Sequence, residues 1–445
     1  MVGRPGSNRR GRRAGNHRGQ SPEGTWRQWV EPWYLVYALG GIAAGLIPIM
    51  MPLIVSKARS PALIGTVMGA YSLSGLTAPL WGGLADRFHM FRWMMIGGVG
   101  VAALGLLLFA LSHTPSIWIL LALAINAGAA CAATVANLLV VEFHPQEEWD
   151  RRLSWLQTFF TGGQVMGLLF AAALTSVHDY RWGLALAATA CALAGVVGWL
   201  TSGAKVSRGG AGPRPVLATP VVHPEHVMSS PHHAFHFTTV NTLRGLKPLL
   251  ASRFGLWMLV STMASVGAGC FFALYPVLMR DLYSINASIS SVAYAVAAAL
   301  SMRFYPPAGK LSHRIGPVLT VRLGYVIRVG AFLALFGLGL AHGDGPHWLA
   351  LPLFTVVAAS YPPIGVGSAT LTPQLSPVAA GEGIGIFNAT TAIAAAIGAH
   401  LGGWLAEYVG FSRVPLAAMV FFGLAALLTY TLRTSGKPAV EQGPG

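Results

Sequence analysis

The sequence predicts an all-α membrane protein, with twelve transmembrane helices in two pseudo-symmetric six-helix bundles. Three observations carry this. Of 445 residues, 54% are hydrophobic and only 10% are charged, and the mean hydropathy is +0.59. The apolar residues gather into twelve stretches, each near the roughly 20 residues that a helix needs to cross the hydrocarbon core. The second half of the chain also repeats landmarks of the first.

In order, the stretches lie at 33–55, 62–85, 93–112, 116–141, 154–177, 181–202, 253–279, 286–306, 317–341, 346–370, 383–407 and 412–433. Backbone in lipid must hydrogen-bond to itself, so each is read as a helix. Residues 1–30 form a basic, Gly- and Arg-rich tail that reads as disordered. The tail has no apolar run or cleavage site of a secretory signal. The N-terminal bundle spans 31–202 and the C-terminal bundle 251–434. Between them, 203–250 is Pro-, Gly- and His-rich and reads as a cytoplasmic linker, ending in a short surface helix. Residues 435–445 form a C-terminal tail.

The net charge of +15 is distributed by topology. Of 29 Lys and Arg residues, 22 fall on the side that carries both termini, five on the other side, and two inside the ninth stretch. This asymmetry puts both termini in the cytoplasm and the chain in the plasma (inner) membrane. It reads as an orientation signal and not as a nucleic-acid footprint. The expected partners are therefore the lipid bilayer and a small molecule, with no nucleic acid, and the chain is expected to be a monomer. Cys131, Cys191 and Cys270 each fall inside a predicted helix and read as buried packing residues. The linker histidines 223, 226, 232, 233 and 236 match no fixed metal spacing, so no metal centre and no cofactor are expected. No H-E-x-x-H, G-x-S-x-G or Walker-type loop is present, which argues against an enzyme and against ATP-driven work.

The repeat is specific in place. "GGLADRF" follows the second stretch and "AGKLSHRIG" follows the eighth. "LQTFFTGGQVMG" in the fifth lines up with "FNATTAIAAAIG" in the eleventh. Gly163 and Gly167, like Gly398 and Gly402, are spaced for close helix approach.

Twelve helices, a central cytoplasmic loop and G-x-x-x-D-R after the second helix resemble the major facilitator superfamily. "IPIMMPLI", "GTVMGAYSLSGLTAPLWGGLADR" and "GEGIGIFNATTAIAAAIGAHLGGWLAEYVG" resemble its drug-efflux-like branch. The resemblance implies a cavity between two rocking bundles. It also implies an inner gate made by Gly82, Asp86, Arg87 and Arg92, with Asp86 at the start of the eleventh helix and Glu382 as acidic partner. The second copy implies a counterpart at His313, Arg314 and Gly316, facing Asp150 in the loop before the fifth helix. The sequence departs from the family pattern at His89, Met90 and His313. It also lacks the Arg of the fourth helix and the Gly-Pro of the fifth, which sets proton antiport in question.

The substrate-site candidates are Tyr71, Asn126, Gln164, Phe271, Phe272, Ser360, Tyr361, Asn388 and Thr391, on helices that line the cavity by analogy. Pro362–Pro363 is expected to break or kink the tenth helix. No acid lies mid-helix, so His400 and Arg328 are the candidates for coupling, to protons if to any ion. The ninth helix, which carries Arg328, is peripheral by the same analogy. The expected function is a secondary active transporter that exports a small neutral or amphipathic organic compound. Uptake of a sugar-like or other metabolite, and a transport-dead receptor or sensor, remain alternatives.

Overall fold

The computed structural model describes residues 29–88, 90–176, 179–201, 252–341, 346–377 and 380–432. The linker with its histidines and both terminal tails lie outside the described residues. Among the described residues, eleven helices are long and apolar enough to cross a membrane, and a shorter apolar helix, Arg413–Leu428, is the twelfth. No strand occurs among the described residues.

Three spans are interrupted, each at a residue that stops the α-helical ladder. The second is Pro61–Leu73, a 3-10 turn Ser74–Thr77, then Ala78–Phe88. The seventh is Arg253–Phe272 followed by Tyr275–Tyr283, with a proline at the restart. The tenth runs through Ala350–Ala359, breaks at Ser360, and resumes as Tyr361–Leu375 with its proline in the first turn, where the expected Pro362–Pro363 kink falls.

Two expected loops are helical. The acidic segment before the fifth span, which includes Asp150, forms the first turns of Gln146–Thr175. Pro145 sets the start, and acids favour a helix N-terminus, so charge ends the membrane part without ending the helix. Asp86 and Arg87 likewise lie in the last turns of Ala78–Phe88 and not in a loop.

Bundles assemble through glycine faces. A Cβ at Gly163 or Gly167 of the fifth span would collide with the carbonyls of Ala38 and Ile42 on the first span, Tyr34–Ser56. In the other bundle, a Cβ at Gly398 or Gly402 of the eleventh span would meet the carbonyls of Val266 and Cys270 on the seventh. The two contacts are equivalent under the sequence repeat, shifted by one helical turn. Lipid supplies no hydrophobic drive between helices, so this backbone contact is what packing energy there is. Cys131, Cys191 and Cys270 are all buried and free.

A polar knot ties the start of the first span to the fifth. Glu31 Oε1 receives His144 Nε2 at 2.7 Å and Arg152 Nη1 at 3.2 Å, and Glu31 Oε2 receives Trp33 Nε1 at 2.9 Å. The second nitrogen of His144 sits 3.0 Å from the Val140 carbonyl. Glu31 is held below its ordinary value of 4.5, because the His144 hydrogen bond, with help from Trp33 and Arg152, outweighs burial.

Gly167→Leu and Gly398→Leu are each expected to lose about 1–3 kcal/mol by overpacking. This reads as a lower thermal midpoint in detergent. The exposed Gly330, whose Cβ would meet nothing within 4 Å, should tolerate Leu. The depressed Glu31 contributes stability that is fully present above its unfolded value of 4.5 and lost as pH falls through its lower folded value. The acid limb of the thermal midpoint should therefore flatten in Glu31→Gln, and the variant should start lower at neutral pH.

Candidate functional site

The contacts between bundles lie on the side away from the termini. Glu407, at the end of the eleventh span, accepts Ser60 Oγ at 2.6 Å and the Ala62 backbone N–H at 2.8 Å. Ser60 is the N-cap of the second span, so a carboxylate of one bundle caps a helix of the other, where the helix dipole favours it. One turn inward, Thr66 Oγ1 and His400 Nδ1 are 3.0 Å apart. Ser288 Oγ donates to the Ala172 carbonyl at 2.7 Å and joins the eighth span to the fifth. A Cβ at Gly65 or Gly403 would strike the facing backbone, and Gly69 lies against Ala396. The polar contacts seen between the bundles among the described residues thus lie on the far side.

This fixes where the predicted gate residues stand. The side chains of Asp86, Asp150 and Glu382 lie outside the described set. Arg92 does not reach across the interface as expected: its Nη2 donates to the Trp199 carbonyl at 2.6 Å, on the sixth span of its own bundle. Arg87 lies over the adjacent Phe88 ring, 5.6 Å from its centroid. His313 and Arg314 are exposed and form no ion pair among the described residues. Gly82 is buried, and a Cβ there would meet the Thr134 methyl at an ordinary 3.7 Å. Gly316 turns the chain between the eighth and ninth spans at φ +86°, a backbone that only glycine adopts readily.

A cavity of about 240 Å³ opens in the C-terminal bundle. Residues from the seventh, ninth, tenth, eleventh and twelfth spans line it, and it has none from the N-terminal bundle. Tyr361, Asn388 and Thr391 of the predicted set line this cavity. Ser360 stands directly behind it, at the break in the tenth span. Phe272 is half-buried beside it, and Phe271 is not a lining residue. It is fully buried among Phe332 (4.9 Å between centroids), Phe272 and Phe354. Tyr71 and Asn126 serve the break in the second span: Asn126 Nδ2 donates at 2.7 Å to the Tyr71 carbonyl, which the 3-10 turn leaves without its α-helical partner. Gln164 is half-buried on the fifth span, away from the cavity.

The larger correction concerns Arg328. The ninth span, Pro317–Leu340, is not merely peripheral, because Arg328 and Tyr325 both line the cavity. Arg328 is 4% exposed. Its Nε donates to Ser360 Oγ at 3.1 Å, and Ser360 Oγ donates to the Val357 carbonyl at 2.7 Å. The guanidinium lies 4.9 Å from the Phe422 ring centroid, 5.9 Å from Tyr361 and 6.0 Å from Phe272. No carboxylate pairs with it among the described residues. The cavity therefore carries a buried positive charge.

Sequence reasoning also missed the hydroxyls Ser261, Ser265, Ser368 and Thr372 in the lining. Small polar residues in apolar helices give no signal of which face they occupy. Behind this wall, Trp257 is fully buried, donates to Thr372 Oγ1 at 3.0 Å and stacks on Phe387 at 6.1 Å.

Comparison with known proteins places this architecture. The Major Facilitator Superfamily model matches residues 33–380. A crystal structure of a bacterial homologue of the human lysosomal transporter Spinster, inward-facing and occupied, is similar at TM-score 0.67 and 16% identity, covering 90% of this chain and 95% of that one. A crystal structure of the nucleoside transporter NupG is similar at TM-score 0.68 and 13% identity, covering 90% of this chain and 97% of that one. At these identities the likeness speaks for the fold. No curated protein sequence matches. The family model covers most of the twelve-helix body just described, and the chain belongs to the Major Facilitator Superfamily.

Proposed function

We propose that the chain is a secondary active transporter that moves a small organic solute by alternating access, with the cavity beside Arg328 as its substrate site. The observation that supports this reading is where the bundles meet: glycine faces and a few polar atoms close the far side, while the inner part of the second span, Ala78–Phe88, packs chiefly on the fourth span of its own bundle. With both termini in the cytoplasm, as the basic-residue bias favours, this is an inward-facing state. His400 belongs to the far-side closure in this reading. Its bond to Thr66 must break when that side opens, which makes it the proposed coupling residue. Asp86, at the other end of the second span, is the proposed inner counterpart of Glu407, capping the eleventh helix in the outward-facing state. Arg87, Arg314 and Asp150 complete that gate.

The test needs no ligand. In a chain with its three cysteines replaced by serine, Thr66→Cys and His400→Cys form an oxidisable pair, and Ser368→Cys reports on the cavity. Oxidation should confine labelling of the reporter by an impermeant maleimide to the termini side, and reduction should restore labelling from the far side. Far-side labelling that never occurs, or that ignores the cross-link, would overturn alternating access. Glu407→Gln removes the charge that caps the second span and should raise far-side labelling severalfold. Accumulation of a solute panel in cells with and without the protein then reads direction: lower for export, as expected from the sequence, and higher for uptake. Loss of the difference with a protonophore would assign the coupling ion.

A further inference from the structure

We infer that the cavity takes a small organic anion, a monocarboxylate with an apolar or aromatic body, anchored on Arg328. This rests on the reading that the cavity is the substrate site. The argument begins with the cost of the charge. A guanidinium buried in a membrane bundle is unfavourable unless something opposite in charge or strongly polar meets it. The hydrogen bond to Ser360 engages Nε, the donor nearest the chain. The rings of Phe422, Tyr361 and Phe272 offset part of the charge through their faces. No carboxylate among the described residues pairs with the terminal nitrogens, and these are the pair of donors whose planar fork matches a carboxylate.

The anchor is also held in place. Ser360 sits at the break in the tenth span, where the helix restart fixes its position, and its own hydroxyl proton is used on Val357. Nε is thereby locked and the plane of the guanidinium is set before any ligand arrives.

Charge number follows from the lining. Arg328 is the one charged side chain among the described lining residues, so one negative charge is matched, a second would be buried without a partner, and a cation would be repelled. A neutral solute could accept a hydrogen bond from the guanidinium but would leave its charge unbalanced. The rest of the wall sets the body of the ligand. Phe387, Ile364, Ile384 and Ala264 present apolar surface, while Asn388 and Thr391 offer hydrogen bonds on the eleventh span. The volume of about 240 Å³ lies below the roughly 300–1,000 Å³ of drug-sized pockets. The ligand is therefore small, on the scale of an arylalkanoic acid.

The test uses the full chain in nanodiscs. The probes are phenylacetate, phenylpropionate and phenylbutyrate, each beside its own amide and the amine of equal length. Binding is read by calorimetry and by the shift in thermal midpoint. At least one acid should bind about tenfold or more tightly than its amide and amine. Arg328→Gln should abolish that preference, and Arg328→Lys should keep only part of it, since an ammonium lacks the fork. Should Arg328→Gln not fold, Asn388→Asp leaves Arg328 and Ser360 untouched and sets a fixed carboxylate in the same cavity, so it should weaken the acid and favour the amine. An amide or amine that binds as well as its acid, or an acid preference that survives these substitutions, would overturn the anion assignment and leave the cavity as a solute site. No binding by any probe would also overturn it. The cysteine lock described above, which uses no ligand, then decides separately whether the transporter reading stands.

Discussion

Everything in this structure depends on how closely two helix backbones can approach where no water drives them together. Gly163 and Gly167 against Ala38 and Ile42, and Gly398 and Gly402 against Val266 and Cys270, hold each bundle at its waist. Gly65 and Gly403 use the same device between bundles. In lipid, side chains gain little by leaving one apolar neighbour for another, so contact between bare backbones supplies the dispersion energy that soluble cores draw from burial. The distinction between the two uses is in their surroundings. Within a bundle the seams are backed by large buried groups such as Trp257, Phe271 and Phe422. Between bundles, polar atoms rim the seam.

Much of the fold was legible because hydropathy, charge bias and the repeat are long-range averages. Twelve crossings follow from them without knowledge of any contact. Helix ends were less legible: apolar character marks the membrane and not the helix, so the turns holding Asp150 and Asp86 were read as loops. The site was least legible. Tyr361, Asn388 and Thr391 could be placed on the cavity by analogy, but analogy also set the ninth span outside it. Arg328 reaches inward because the tenth span breaks at Ser360 and leaves room and a hydrogen-bond acceptor there. A break is a local backbone event with a sequence signal, Pro362–Pro363. Which neighbour's side chain enters it is a tertiary fact with none.

Interrupted spans recur where chemistry is placed. The second span breaks at Ser74–Thr77, and Asn126 takes the carbonyl it frees. The tenth breaks at Ser360, and the freed position takes an arginine. In the first case a neighbouring side chain meets a backbone carbonyl that an unbroken helix would have used, and in the second it meets the serine hydroxyl at the break.

The seam between the second and eleventh spans has a further consequence. Gly65, Gly69 and Gly403 let its faces meet backbone to backbone, with the Thr66–His400 bond crossing it one turn in. What remains to set the resting balance is a few rim atoms, Ser60, Ala62 and Glu407 foremost, and these are bathed by the medium beyond the membrane. Exposed charge at a helix end is screened by salt over about 8–10 Å. Under the proposed transport cycle, the balance between the two postures is thereby tied to the ionic strength of the compartment on the far side.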